Sequence, residues 1–125
     1  MLLQLQLSSP IPIYLQIRNE IVLGIADGRL APGERLPTIR ALADASGVNM
    51  MTVSKAYQLL KREGHITTDR RSGAVIVGRD HDQSDMPEHA QQALKLLISE
   101  AKLRGMSKAA FQRLCGDLFD KMEVD

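Results

Sequence analysis

The densest group of side chains with recognition chemistry is Asn49, Met50, Met51, Thr52, Ser54 and Lys55. Amides and hydroxyls exchange hydrogen bonds with base edges, methionine packs on thymine methyls, and ammonium groups hold phosphate. A second group, Arg70-Arg71-Ser72-Gly73, sets adjacent cations beside a glycine. That chemistry suits a phosphate backbone or a narrow minor groove. A third group, His81, Asp82, Asp85, Glu88 and His89, has the residue types of transition-metal ligands. It lacks cysteine and the HxxxH helical spacing, so it reads as an acidic spacer and no metal is expected. There is no Gly-rich phosphate loop, no nucleophile with a paired histidine and no catalytic carboxylate pair. Neither an enzyme nor a cofactor is therefore expected.

The first group needs a helix to present it. From Leu36 to Gly64 the chain reads LPTIRALADASGVNMMTVSKAYQLLKREG. Ile39, Leu42 and Ala43 have the spacing of a buried helical face and predict a helix from Ile39 to Ser46. Thr38 precedes it as a cap, and Gly47 follows where the turn needs a positive φ. Asn49 caps a second predicted helix, Met50 to Glu63, which buries Val53, Ala56, Tyr57 and Leu60. Gly64 terminates it. Paired helices across a glycine-containing turn make a helix-turn-helix. The polar start of the second helix falls largely off the buried stripe, where a DNA reader meets the major groove. The same pattern also fits a solvated helical hairpin in a small bundle.

The stretch HITTDRRSGAVIVG predicts a β-hairpin tipped by Asp69 to Gly73. A ribbon directly after a helix-turn-helix makes a winged helix, with Arg70 and Arg71 at the wing tip; a solvated polar turn is the plainer alternative. Upstream, Pro12 to Gly28 predicts a helix with Ile13, Tyr14, Ile17, Ile21, Gly24 and Ile25 inward and Arg18, Asn19, Asp27 and Arg29 outward. Residues 2–7 form a short strand or an arm. LAPGERLP is a loop with room for one short strand, plugged by Leu30 and Leu36.

Residues 80–87 read as a linker. Beyond it, Pro87 suits the first turn of a helix. Ala90, Ala93, Leu94, Leu97, Ile98 and Ala101 form its stripe, and Gly105 ends it. Ser107 caps a further helix striped by Ala110, Phe111, Leu114, Cys115, Leu118, Phe119 and Met122. A tail of about 35 residues cannot bury both stripes by itself. A second copy of the chain is the simplest partner. Leu94, Leu97, Ile98, Ala101, Phe111, Leu114, Leu118 and Phe119 are the candidate dimerisation residues; packing back onto the winged segment is the alternative. Cys115 reads as part of that apolar stripe. The fold class is thus mainly α, α+β: a winged helix-turn-helix over residues 1–79, then a two-helix dimerisation hairpin over 88–125.

Composition agrees with a globular chain. Of 125 residues, 44% are hydrophobic and 25% charged, so a core can form, but aromatics are only 3% and it must rest on aliphatic side chains. No apolar run approaches the ~20 residues of a membrane helix. MLLQLQLSS lacks the basic start of a signal peptide, and the lone Cys115 cannot form an internal disulfide. Together these predict a cytoplasmic protein. The net charge of +1 divides unevenly: ten Lys/Arg against six Asp/Glu in residues 1–79, six against nine afterwards. The candidate DNA-binding segment is therefore the basic one, at +4 against −3.

The residues PIYLQI, PGERLPTIRALADASGVN and TVSKAYQLLKREGHI resemble the N-terminal domain of GntR-family bacterial transcription regulators. The likeness runs from Ile11 to about Val77, and the short two-helix tail resembles the YtrA-type subfamily. It implies a homodimeric repressor on a palindromic DNA operator. It implies a DNA contact for Arg40, within the LPTIR stretch that also holds Pro37 and Thr38. It puts the recognition positions on Asn49, Thr52, Ser54 and Lys55, and the wing glycine on Gly73 beside Arg70. Met50 and Met51 depart from the polar or proline residues usual there, and Arg71 replaces the first wing glycine. An alternative function is an interaction or dimerisation module whose DNA binding responds to a metal or ligand through the linker. The resemblance specifies no small-molecule effector.

Overall fold

The computed structural model describes residues 3–78 and 85–122. The chain divides into two compact units, residues 1–79 and 80–125. His81 and Asp82, and most of the predicted linker, lie outside the described residues.

The first unit contains α1 (Ile13–Ala26), α2 (Ile39–Ser46), α3 (Met50–Arg62), β1 (Ile66–Asp69) and β2 (Gly73–Ile76). Each boundary has a local cause. Pro12, with φ of −54°, opens α1. The Thr38 hydroxyl accepts from the Ala41 N–H at 3.0 Å, capping α2. Gly47 closes α2 at φ 70°, in the left-handed region where a side chain would be strained. Asn49 caps α3 by accepting from the Met51 N–H at 2.6 Å.

The core is aliphatic, as the composition requires. Ile17 and Ile21 of α1, Leu42 and Ala43 of α2, and Val53, Ala56, Tyr57 and Leu60 of α3 meet Ile66, Ala74 and Ile76 of the hairpin. Leu30 and Leu36 close it from the connecting loop. Each fully buried aliphatic side chain contributes roughly 1.5–3 kcal/mol through its removal from water. β1 and β2 pair antiparallel from Ile66–Ile76 to Asp69–Gly73.

Four local features differ from or sharpen the sequence reading. Residues 3–6 form an arm without strand pairing, with Leu3 and Leu5 against the core. Gln16, a polar residue, is buried on the inner side of α1 and holds that arm. Its carbonyl accepts from the Gln6 N–H at 2.7 Å, and its NH2 donates to Gln6 O and Ile11 O. Arg18 does not merely face outward: it clasps the Glu63 carboxylate with two hydrogen bonds, at 2.8 and 3.0 Å. The loop before α2 lies along β2, where Leu36 N–H donates to Ala74 O and Ile76 N–H to Glu34 O. This bridge covers an edge of β2 that would otherwise offer unpaired backbone groups.

In the second unit, α4 (Glu88–Leu103) and α5 (Lys108–Met122) are joined by a turn containing Gly105 at φ 86°. Pro87 is the residue before α4 rather than in its first turn. Ser107 Oγ accepts from Ala110 N–H at 3.1 Å, as expected of a cap. No residue of either helix is buried. None of the helices is long and apolar enough to cross a membrane among the described residues.

Candidate nucleic-acid interface

Caps and stripes together decide which side chains α3 turns outward. Its apolar residues recur every three or four positions and point into the core, leaving the N-terminal turn on the surface. Met51 is 79% exposed and Met50 45%. Lys55 is exposed, and Thr52 and Ser54 are half-buried. The Asn49 carbonyl is occupied by its capping bond, so its NH2 is the end left for an outside partner. The Ser54 hydroxyl accepts weakly from Gln58 Nε2 at 3.4 Å. The Lys55 ammonium sits 4.1 Å from the centroid of the Tyr14 ring, so α1 helps to aim it.

Arg40 lies in the first turn of α2 and is exposed. Thr38 and Pro37, placed beside it in the sequence, have internal duties. Thr38 caps the helix, and the Pro37 carbonyl accepts from the Tyr57 hydroxyl at 2.8 Å. Tyr57 is 5% exposed, and burial pushes its phenol up to about 12. It therefore stays a neutral donor at any physiological pH.

The wing tip is braced from within. The Asp69 carboxylate accepts from the backbone N–H groups of Ser72 and Arg71. These bonds, the one from Ser72 foremost, hold its carboxyl below the ordinary 3.8. Gly73 supplies the one left-handed conformation of the turn, at φ 69°. No non-glycine described residue has positive φ, so Arg71 occupies its position without that strain. Arg70 and Arg71 are exposed and Ser72 is half-buried.

Arg40, Lys55, Arg70 and Arg71 have no carboxylate partner among the described residues; the ion pairs there are Arg18–Glu63 and Arg29–Asp27. The unit thus presents unneutralised cations on α2, α3 and the wing. The sequence reading put Asp69 at the wing tip, Tyr14 on the inner face of α1 and Tyr57 on the α3 stripe, but gave none of them its partner. The Asp69 bonds could have been found, since an aspartate ahead of a tight turn commonly accepts from backbone N–H groups two and three residues on. Nothing local marks the two tyrosines, whose partners lie far along the chain.

In the second unit the candidate dimerisation residues remain open to solvent. Leu94, Leu97, Ile98, Leu114, Leu118 and Phe119 are exposed, Phe119 at 74%. Ala101 and Phe111 are half-buried near the turn, in a cleft shared with Ile98, Met106 and Cys115. Within one chain Cys115 is therefore in an open cleft, not an interior. Of the histidine and acidic constellation, Asp85, Glu88 and His89 are described, and no metal-binding cluster of three such groups exists among the described residues.

The model of the family described as "Bacterial regulatory proteins, gntR family" matches residues 13–76. The transcriptional repressor YtrA of Bacillus subtilis is 41% identical over 109 residues, covering 84% of this chain and 82% of that protein. A crystal structure from Listeria monocytogenes, described as a transcriptional antiterminator, has a TM-score of 0.85 at 30% identity, covering 100% of this chain and 96% of that one. The DNA-binding domain of AraR, crystallised with an operator, has a TM-score of 0.55 at 26% identity, covering 60% of this chain and 96% of that one.

Proposed function

The chain belongs to the GntR family of bacterial regulatory proteins and is a YtrA-type member, and from that premise we propose that it is a homodimeric, sequence-specific repressor binding a palindromic operator. The observation that carries this reading is the outward polar turn of α3, together with exposed Arg40, Arg70 and Arg71, which have no carboxylate partner among the described residues. The start of α3 enters the major groove. Arg40 and Lys55 fix its register, and the wing arginines hold the backbone beside it. AraR, a relative of similar fold, is a protein seen on its operator, which supports double-stranded DNA as the partner.

The uncovered stripes of α4 and α5 supply the second half of the mechanism. Side chains such as Leu97, Leu118 and Phe119 find no interior within the second unit. A second copy covers them and pairs two reading heads on two half-sites. Pairing multiplies the modest affinity that a +4 segment has alone. Bound across a promoter, such a dimer excludes polymerase.

The test is a competition titration of wild type and Arg40→Ala on the tightest duplex selected from a random library. Loss of a guanine contact weakens specific binding by roughly 1–3 kcal/mol. Equal operator affinity in both proteins removes Arg40 from the reading surface. A wild type with no preference over scrambled DNA overturns sequence-specific regulation altogether.

A further inference from the structure

Tyr57 stands apart from the rest of the α3 core. It lies on the buried stripe with Val53, Ala56 and Leu60, yet it carries a hydroxyl. That hydroxyl crosses from α3 to the chain entering α2, where it donates to the Pro37 carbonyl across 20 residues of sequence. The same short entry segment is also held by the hairpin, through Leu36 N–H to Ala74 O at 2.8 Å. Leu36 and Pro37 therefore form a junction at which α3, the wing and the start of α2 are tied together. Thr38 follows directly and caps α2, and Arg40 is two residues further on.

Resting on the DNA-reading role above, we propose that Tyr57 is a specificity-determining positioning residue. Its hydroxyl sets the placement of Arg40 against the reading turn of α3, without touching DNA itself. Base readout requires both groups to meet the duplex in one register, because bidentate geometry tolerates little displacement. Phosphate attraction is long-ranged and tolerates it well. Loosening the junction therefore lowers discrimination more than general DNA affinity. Removing the hydroxyl leaves the Pro37 carbonyl without its partner and frees the segment to shift.

The decisive variant is Tyr57→Phe, which keeps the ring and its packing. Two readouts are taken well below the melting temperature. The first compares affinity for the tightest library-selected duplex with affinity for a scrambled duplex of the same composition. We expect operator affinity to fall about three- to tenfold, the equivalent of one buried hydrogen bond, with scrambled-duplex affinity and salt slope unchanged. The second is amide exchange at Ala41 and Leu42, which should quicken relative to Val53 and Leu60. An equal drop on both duplexes, or no drop on either, overturns the proposal. Unchanged exchange at Ala41 and Leu42 overturns it independently of DNA. Should wild type prefer no duplex, the DNA-reading role fails, while faster exchange still upholds the tie between Tyr57 and α2.

Discussion

Removing the wing cations by Arg70→Ala with Arg71→Ala tests the electrostatic half of the mechanism quantitatively. Both side chains are exposed and without a carboxylate partner among the described residues, so their deletion unpacks nothing. The Asp69 bonds that brace the tip run to backbone N–H groups and survive the change. On B-form DNA each phosphate contact adds about 0.9 to the slope of log affinity against log salt. The proposed dimer would bring two wings. If one arginine per wing holds a phosphate, the slope becomes shallower by about 1.8; if both do, by about 3.6. Between about 50 and 200 mM salt, the loss of affinity then shrinks by about 12-fold or about 150-fold relative to wild type. Fluorescence anisotropy titrations across that range give the slope directly. Arg62→Ala is the control: it removes a cation twelve residues along α3 from Met50, about 18 Å away. An unchanged slope in the wing variant refutes the reasoning. So does an equal change in the control, which would reduce the wing to net charge.

Three further outcomes follow from packing and titration. Leu60→Ala removes a side chain with 0% exposure from the centre of the first unit, and urea unfolding should show a loss of about 2–5 kcal/mol. Burial holds the His65 imidazole below its ordinary 6.5, with Glu63 opposing that shift. The folded state disfavours the proton, so stability is full above 6.5 and declines as pH falls below it. Urea midpoints at pH 7.5 and 5.5 should differ in wild type and converge in His65→Gln. Leu97→Asp alters a residue 58% exposed in a single chain. Sedimentation should report dissociation to monomers with helicity retained, and operator affinity should collapse with it; a dimer that persists removes α4 from the interface.

Helix limits were legible because their causes are local. Thr38, Gly47, Asn49 and Gly64 act within a few residues of themselves, and a stripe such as Val53, Ala56, Tyr57, Leu60 records burial in its spacing alone. The polar start of α3 follows from that stripe by subtraction, so the candidate reading turn was visible in the residues. So was the wing, since hairpin and tip chemistry are adjacent in sequence. Met50 and Met51 are exposed as the stripe predicts.

Tertiary structure alone decided how these pieces are joined. Arg18 meets Glu63 across 45 residues, Gln16 anchors the arm through Gln6, Lys55 settles over Tyr14, and Tyr57 reaches Pro37. Periodicity told only that Tyr57 faces inward, not that its hydroxyl finds a carbonyl at the mouth of α2. The physical reason is that burial is a property of one face of one helix and leaves a repeating mark. A hydrogen bond needs two groups at one distance and angle, and no repeat along the chain encodes where the second group will be.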